Sequence, residues 1–228
     1  MIGIIVAMQE EAEYLHQQMA DITTTRIAGN DFLQGKIHGH DIVLVQAGIG
    51  KVNAAVGTTL LIDHFKPRFV INTGSAGGLN PALEIGDVVI SLEVRHHDVD
   101  VTVFGYEHGQ VPKLPAAFLP SQKLVEAAEH AALKMDMNVT KGLIVSGDSF
   151  MNDPVYIARI HEKFNNVYAV EMEAASVAQV CHLFDMPFVV IRALSDIAGK
   201  ESAISFDAFL KQAALHSSQL IVHMLDEV

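Results

Sequence analysis

Three carboxylates stand where acid–base work is feasible. Glu11 opens a helix-patterned segment, Gln9–Met19, and shares a face with Leu15 and Met19, so it looks inward, whereas Glu10 and Glu13 fall off that stripe into solvent. An inward carboxylate at a helix start needs a partner, a water or a chemical task, and a structural cap fits Glu11 as well. Glu173 lies between the apolar run Val167–Val170 and a helix of small residues. A carboxylate is favoured there and could accept two ligand hydroxyls; the alternative is a surface residue complementing the helix dipole. Asp196 leaves the apolar strand Phe188–Leu194, which also carries Arg192. An arginine inside an apolar strand requires an acidic or polar partner, while Asp196 by itself could start a turn.

Other motifs are weighed and mostly set aside. Gly74-Ser75-Ala76-Gly77-Gly78 reads as a flexible loop after Phe69–Thr73, either holding a polar ligand or water, or simply turning the chain. Gly48-Ile49-Gly50-Lys51-Val52-Asn53 begins like a dinucleotide fingerprint, but Asn53 stands where a third small residue belongs. Gly50-Lys51 and Gly199-Lys200 lack the earlier glycine and the following Ser or Thr of a phosphate loop. Ser75 has Thr73 where a nucleophile elbow requires glycine. Cys181 and His182 are helix neighbours pointing about 100° apart, so Cys181 reads as a buried structural thiol. His96-His97-Asp98-Val99-Asp100 has ligand-type side chains without zinc spacing, so no metal is expected; His96, His97 and His108 read as surface residues. His161 reads as helix surface.

Positioning these groups falls to short β-rich runs, Ile2–Ala7, Ile42–Ala47, Phe69–Thr73, Val88–Leu92, Leu143–Ser146, Val167–Val170 and Phe188–Leu194. Helix-patterned segments alternate with many of them: Gln9–Met19, Val52–Phe65, Ser121–Met135, Pro154–Phe164, Met172–Phe184 and Phe206–Leu225, the last behind Ser205 as N-cap. Runs apolar on both faces and alternating with helices predict a mostly parallel, helix-flanked sheet, a three-layer α/β architecture in one domain over 1–228. Ligands of such sheets gather at the carboxyl ends of the strands. The stretch His96–Pro120, broken by Gly105, Gly109, Pro112, Pro115 and Pro120, reads as a long functional loop.

Composition excludes several classes. Half the residues are hydrophobic and 18% charged, which is the composition of a packed core rather than of a disordered chain. A formal charge of −12 repels phosphate backbones and anionic lipid, so neither nucleic acid nor membrane is an expected partner. One cysteine allows no internal disulfide, the N-terminal apolar run ends at once in Gln9-Glu10-Glu11, and no stretch approaches the roughly 18 residues of a membrane span. A cytoplasmic protein is expected.

Six blocks in order then carry a resemblance: Gly3–Glu11, Gly48–Ala55, Asn72–Gly78, Ser146–Phe150, Glu171–Ala175 and Arg192–Asp196. The chain resembles, over nearly its whole length, the nucleosidase branch of the purine nucleoside phosphorylase superfamily, which cleaves 5′-methylthioadenosine and S-adenosylhomocysteine, and 5′-deoxyadenosine, to adenine and the sugar. The resemblance implies a mixed central sheet flanked by helices, a homodimer, no cofactor and a place in methionine salvage. In that pattern Asp196, beside Ser195, binds the adenine edge and protonates N7. Glu173 takes the 2′- and 3′-hydroxyls with Met172 packed beside the sugar, and Glu11 holds and deprotonates the attacking water with Ser75 and Arg192. Phe150 stacks on adenine, and backbone near Phe150 and Met151 reads its Watson–Crick edge. Met8, Ile49, Val101, Phe104 and Phe206 surround the alkylthio tail, joined by the partner subunit's Tyr106 and the partner subunit's Pro112. N-glycosidic cleavage passes through a cationic, oxocarbenium-like sugar, which suits one acid for the base and anions for the sugar.

Two rivals share the scaffold. A phosphorylase would need cationic side chains near Gly74–Gly78, and the sequence offers none there but the more distant Arg192. A non-catalytic nucleoside-binding protein would have no use for a water-activating acid.

Overall fold

The computed structural model describes residues 1–135, 137–200 and 202–228. A nine-stranded sheet runs through it. Its first half is β1 (Ile2–Val6), β2 (Ala20–Ile27), β3 (Asn30–Ile37), β4 (His40–Gln46) and β5 (Val70–Gly78); its second is β6 (Val88–His96), β7 (Val139–Ser146), β8 (Val167–Glu171) and β9 (Phe188–Ile197). The strand order is β2-β3-β4-β1-β5-β8-β7-β6-β9, and β9 also pairs with β5, so β5, β8, β7, β6 and β9 close a ring.

Side-chain alternation along the strands builds the layers. On β1, Ile4 faces one core and Ile5 the other. The first core is covered by α1 (Gln9–Gln18), α3 (Gln122–Ala132) and α6 (Ser202–Met224) through Leu15, Leu124, Ala128, Leu220 and Ile221. The second is covered by α2 (Lys51–Phe65) and α5 (Ala174–Leu183) through Ala54, Leu61, Val177 and Cys181. A smaller cluster under α4 (Pro154–Lys163) joins Ile160 to Val145 and Val170. Each aliphatic side chain withdrawn in this way contributes about 1.5–3 kcal/mol. Burial pushes the Cys181 thiol upward, which keeps it protonated and inert.

The architecture matches the expected helix-flanked α/β fold, and the sheet is mixed, as the resemblance implies: β2–β3, β3–β4, β5–β8 and β6–β9 are antiparallel and the other pairings parallel. Three details depart. The β2 strand, unmarked by any apolar run, is exposed almost throughout and owes its place to pairing alone. It joins β3, and β3 joins β4, through Ala28-Gly29 and His38-Gly39, each pair at positive φ as a two-residue hairpin turn demands. Gly74–Gly78 is not a loop: it forms the carboxyl half of β5, its short side chains admitting other groups close to the backbone. Ser205 lies inside α6 rather than at its start, because the helix begins three residues earlier.

The segment after β6 holds one short 3-10 turn, Thr102–Phe104, and is otherwise the expected loop. His96 is not a surface residue. It is buried at the end of β6, with Nε2 2.9 Å from Gln179 Oε1. His108 Nε2 donates to His97 O at 3.0 Å, so these histidines order the loop. Burial lowers the pKa of both His96 and His97.

Candidate active site

The carboxyl ends of the ring strands and the start of α1 surround a cavity of about 290 Å³. Glu11, Glu173 and Asp196 all line it, with side chains almost wholly withdrawn from solvent: the residues are 2%, 7% and 2% exposed. A fourth acid, Glu171, also reaches the wall; the rest is mainly apolar, chiefly Met8, Ile49, Ala76, Phe150, Val170, Met172 and Phe206, with Ser75 and Ser195 as hydroxyls. Phe150 and Phe206 meet edge to face at 5.7 Å across the mouth. Met151 is buried beneath the cavity, against the same Phe150 segment.

Glu11 is held from four directions. Oε2 accepts from the backbone N–H of Ala7 and of Met8 at 3.0 and 3.1 Å, which fixes the end of β1 against the start of α1. Oε1 accepts from Ser75 N at 2.9 Å and from Ser75 Oγ at 3.1 Å. A carboxylate offers about four lone-pair directions, so every one is filled. Three of the donors are fixed backbone; the fourth is a rotatable hydroxyl. A water entering the site can take only that fourth position, displacing the Ser75 proton from Glu11. Gly74 must be glycine for the same contacts, since a Cβ there would sit against Arg192 Nη1 and 2.5 Å from Glu11 Oε1.

Glu173 stands at the N-cap position of α5, yet its side chain makes no cap hydrogen bond. Instead Oε1 accepts from Gly50 N at 2.8 Å, at the start of α2, and Oε2 faces Arg192 at 3.7 Å. Burial, then the neighbouring Glu171 charge, push its pKa from the usual 4.5 up to about 7, against the pull of Arg192. Asp196 accepts from Ser195 Oγ at 2.9 Å through Oδ1, and burial raises its pKa from 3.8 to about 6. It sits in the final turnless stretch of β9, one residue before the strand ends.

Arg192 is fully buried behind the acids and does not line the cavity. Its Nη2 donates to Asn72 Oδ1 at 3.0 Å and to Glu171. Sequence reading required an acidic partner for this arginine but missed Glu171. The alternation Glu171-Met172-Glu173 was the available signal: at the end of a buried strand it sends two acids to one side.

The glycine turn before α2 also resolves. Its first helical N–H groups are committed to carboxylates, Gly50 N to Glu173 and Lys51 N to Asp148 at 2.8 Å, while Lys51 Nζ pairs with Asp98 at 2.6 Å. Those two donors are therefore not free for a ligand phosphate. Val101, Phe104, Tyr106 and Pro112 lie on the loop after β6 and outside the cavity wall of this chain. Among the described residues no three His, Cys, Asp or Glu side chains are grouped to hold a metal. A larger hollow of about 450 Å³ between that loop and the end of α5 is mostly apolar and brings no acids together. No described helix is long and apolar enough to cross a membrane.

Residues 1–226 match the Phosphorylase superfamily. The 5′-methylthioadenosine/S-adenosylhomocysteine nucleosidase of Bacillus pumilus is 59% identical over 227 residues, covering 99% of this chain and 98% of that protein. The solved structure of the corresponding nucleosidase from Colwellia psychrerythraea, in complex with adenine, has a TM-score of 0.97 at 49% identity, covering 99% of this chain and 94% of that one. That from Neisseria meningitidis, in complex with methylthio-immucillin-A, has a TM-score of 0.98 at 47% identity, covering 100% and 99%.

Proposed function

The chain belongs to the phosphorylase superfamily, and we propose that within it the protein is a nucleosidase that hydrolyses the N-glycosidic bond of 5′-methylthioadenosine and S-adenosylhomocysteine, releasing adenine and the 5-thioribose product. The observation that carries this reading is the meeting of Glu11, Glu173 and Asp196, each almost wholly withdrawn from solvent, in one cavity. Asp196 gives a proton to purine N7 and turns adenine into a neutral leaving group; a pKa near 6 leaves it partly protonated close to neutrality. Glu173 accepts the ribose hydroxyls, and its charge, with that of Glu11, stabilises the cationic sugar. Glu11 orients the attacking water through the lone pair that Ser75 otherwise occupies and takes its proton. Phe150 lies over the base, Met151 backbone meets its edge, and Met8, Ile49, Met172 and Phe206 receive the sugar and thioether, an apolar environment that disfavours an ordinary 5′-hydroxyl. 5′-Deoxyadenosine, which carries the same base and sugar hydroxyls, is a further expected substrate.

Hydrolysis is preferred to phosphorolysis on electrostatic grounds. A phosphate entering the sugar site would meet Glu11, Glu171 and Glu173, against a single guanidinium that already serves Glu171 and Asn72. Incubating purified protein with methylthioadenosine and separating the products should give free adenine and methylthioribose at equal rates with and without phosphate. Strict phosphate dependence, or no adenine at all, overturns the reading.

The protein acts as one unit over 1–228, in the cytoplasm, in salvage of methionine, and as a homodimer. Support for the dimer is the loop after β6, which leaves two large apolar side chains, Val103 and Phe104, at 85% and 77% exposure. The partner subunit's Tyr106 and the partner subunit's Pro112, with Val101 and Phe104, then close the tail pocket. Sedimentation should give twice the chain mass, and Phe104→Asp should shift it to the monomer and raise KM; a wild-type monomer with full activity refutes this arrangement.

A further inference from the structure

Helix α5 begins with donors that its own N-cap side chain does not satisfy. Glu173 N donates to Glu171 Oε2 at 3.1 Å, and Ala174 N donates to both Glu171 oxygens at 3.1 and 2.9 Å. Ala175 N donates to Ser146 Oγ at 2.8 Å, and that hydroxyl donates in turn to Glu171 Oε1. Arg192 also directs Nη2 at Glu171 rather than at Glu173. The helix amides that would normally draw the N-cap acid back are thus taken by the residue two positions earlier, which also holds Arg192 in the closer pair and leaves Glu173 the longer one. Glu173 keeps one hydrogen bond, to Gly50 N, and lines the cavity with its Oε2 only 3.7 Å from Arg192, in ion-pair but not hydrogen-bond range.

We propose that Glu171 is a positioning residue for the reaction: by capping α5 and holding Arg192, it keeps the Glu173 carboxylate extended toward the sugar. This rests on the reading that Glu173 receives the ribose hydroxyls. Without the Glu171 charge, Arg192, already 3.7 Å from Glu173, and the freed amides of α5 become the stronger partners, and Glu173 folds back from the ligand. Adenine does not depend on this arrangement, because its partner Asp196 stands on β9 and is held by Ser195.

Three measurements on Glu171→Gln distinguish positioning from general damage. The KM for methylthioadenosine should rise roughly 10- to 100-fold, as expected for an angstrom-scale misplacement of a sugar-binding group. Affinity for free adenine should stay within about 2-fold, because no contact to Asp196 changes. The acidic limb of the kcat/KM profile should move to lower pH, since Glu171 is one of the causes that raise Glu173 and its loss also releases Arg192 to Glu173. Equal weakening of adenine and nucleoside, or an unmoved acidic limb, overturns the proposal. Should Glu171→Gln fail to fold, Ser146→Ala takes its place. It removes one anchor of Glu171 and should raise the nucleoside KM roughly 5- to 10-fold with adenine affinity unchanged; no sugar-specific change there overturns the proposal too. Glu173→Gln separates the underlying reading: if it leaves the nucleoside KM unchanged, Glu173 does not hold the sugar and both readings fall. If it raises KM while Glu171→Gln does not, only the positioning role falls.

Discussion

Asp196→Asn should lower kcat for methylthioadenosine about 10²- to 10⁴-fold, the range of a lost general acid, and at the same time raise the melting temperature above neutral pH. The two effects share one cause. An aspartate raised from 3.8 to about 6 resists ionisation in the folded protein. The sign follows by linkage: below the unfolded value both states are protonated and nothing is lost. As pH rises through 3.8 toward 6 the unfolded chain ionises first, and the folded state loses stability until both are charged. The full difference corresponds to about 3 kcal/mol. Asparagine keeps the acceptor for Ser195 Oγ but never ionises, so it escapes this loss. In a chain of this length the expected gain in Tm is several degrees at about pH 8 and none at about pH 4. Thermal unfolding of both proteins across that range, alongside adenine release, checks both halves; a variant that loses activity and stability together at pH 8 contradicts the role. The wild-type kcat/KM should also fall as pH rises through about 6, where the acid loses its proton.

Glu11→Gln should cost a similar factor in turnover, about 10²- to 10⁴-fold, yet shift stability in the opposite direction. Glu11 accepts four hydrogen bonds, three of them from backbone N–H groups. A glutamine amide replaces one acceptor oxygen with an NH₂ group that faces further donors whichever way it is placed. Against Ala7 and Met8 it opposes two N–H groups; against Ser75 it opposes one, with the hydroxyl free to turn round and accept. The better orientation still strands one buried N–H, which destabilises by about 1–3 kcal/mol. Comparing Tm and adenine release for Glu11→Gln with Asp196→Asn therefore distinguishes a strained acid from a satisfied one. Equal shifts in the same direction would mean that their environments are not as described.

The sequence carried the architecture where burial leaves a periodic trace. The apolar runs Ile2–Ala7 and Phe188–Leu194 read directly as the inner strands β1 and β9, and Glu11 was visibly inward through its alignment with Leu15 and Met19. Legibility failed where no such trace exists. The strand Ala20–Ile27 is exposed on both faces, so pairing and two tight turns hold it, and neither writes an apolar pattern. Gly74–Gly78 looked like a loop because glycine signals flexibility, whereas here it leaves room for Arg192 and Glu11 to lie against a strand. Glu171 is hidden by its neighbour: two acids flank Met172, both reach the cavity wall, and only three-dimensional pairing tells which one holds Arg192 in the close pair. Arg192 itself is fully buried behind the acids and outside the cavity wall.

The ring of β5, β8, β7, β6 and β9 leaves those strands no loose margin along which to peel apart, since opening any one breaks ladders on both of its sides. Glu171 ends one of these strands, Asp196 stands one residue before the end of another, and Ser75 and Ser146 lie in two more. The acid cradle is therefore carried by the part of the molecule whose amide protons should be last to exchange with deuterium, while the hairpin of β2 and β3 at the outer margin trades its own early. Reactivity is stored in the least yielding masonry of the fold.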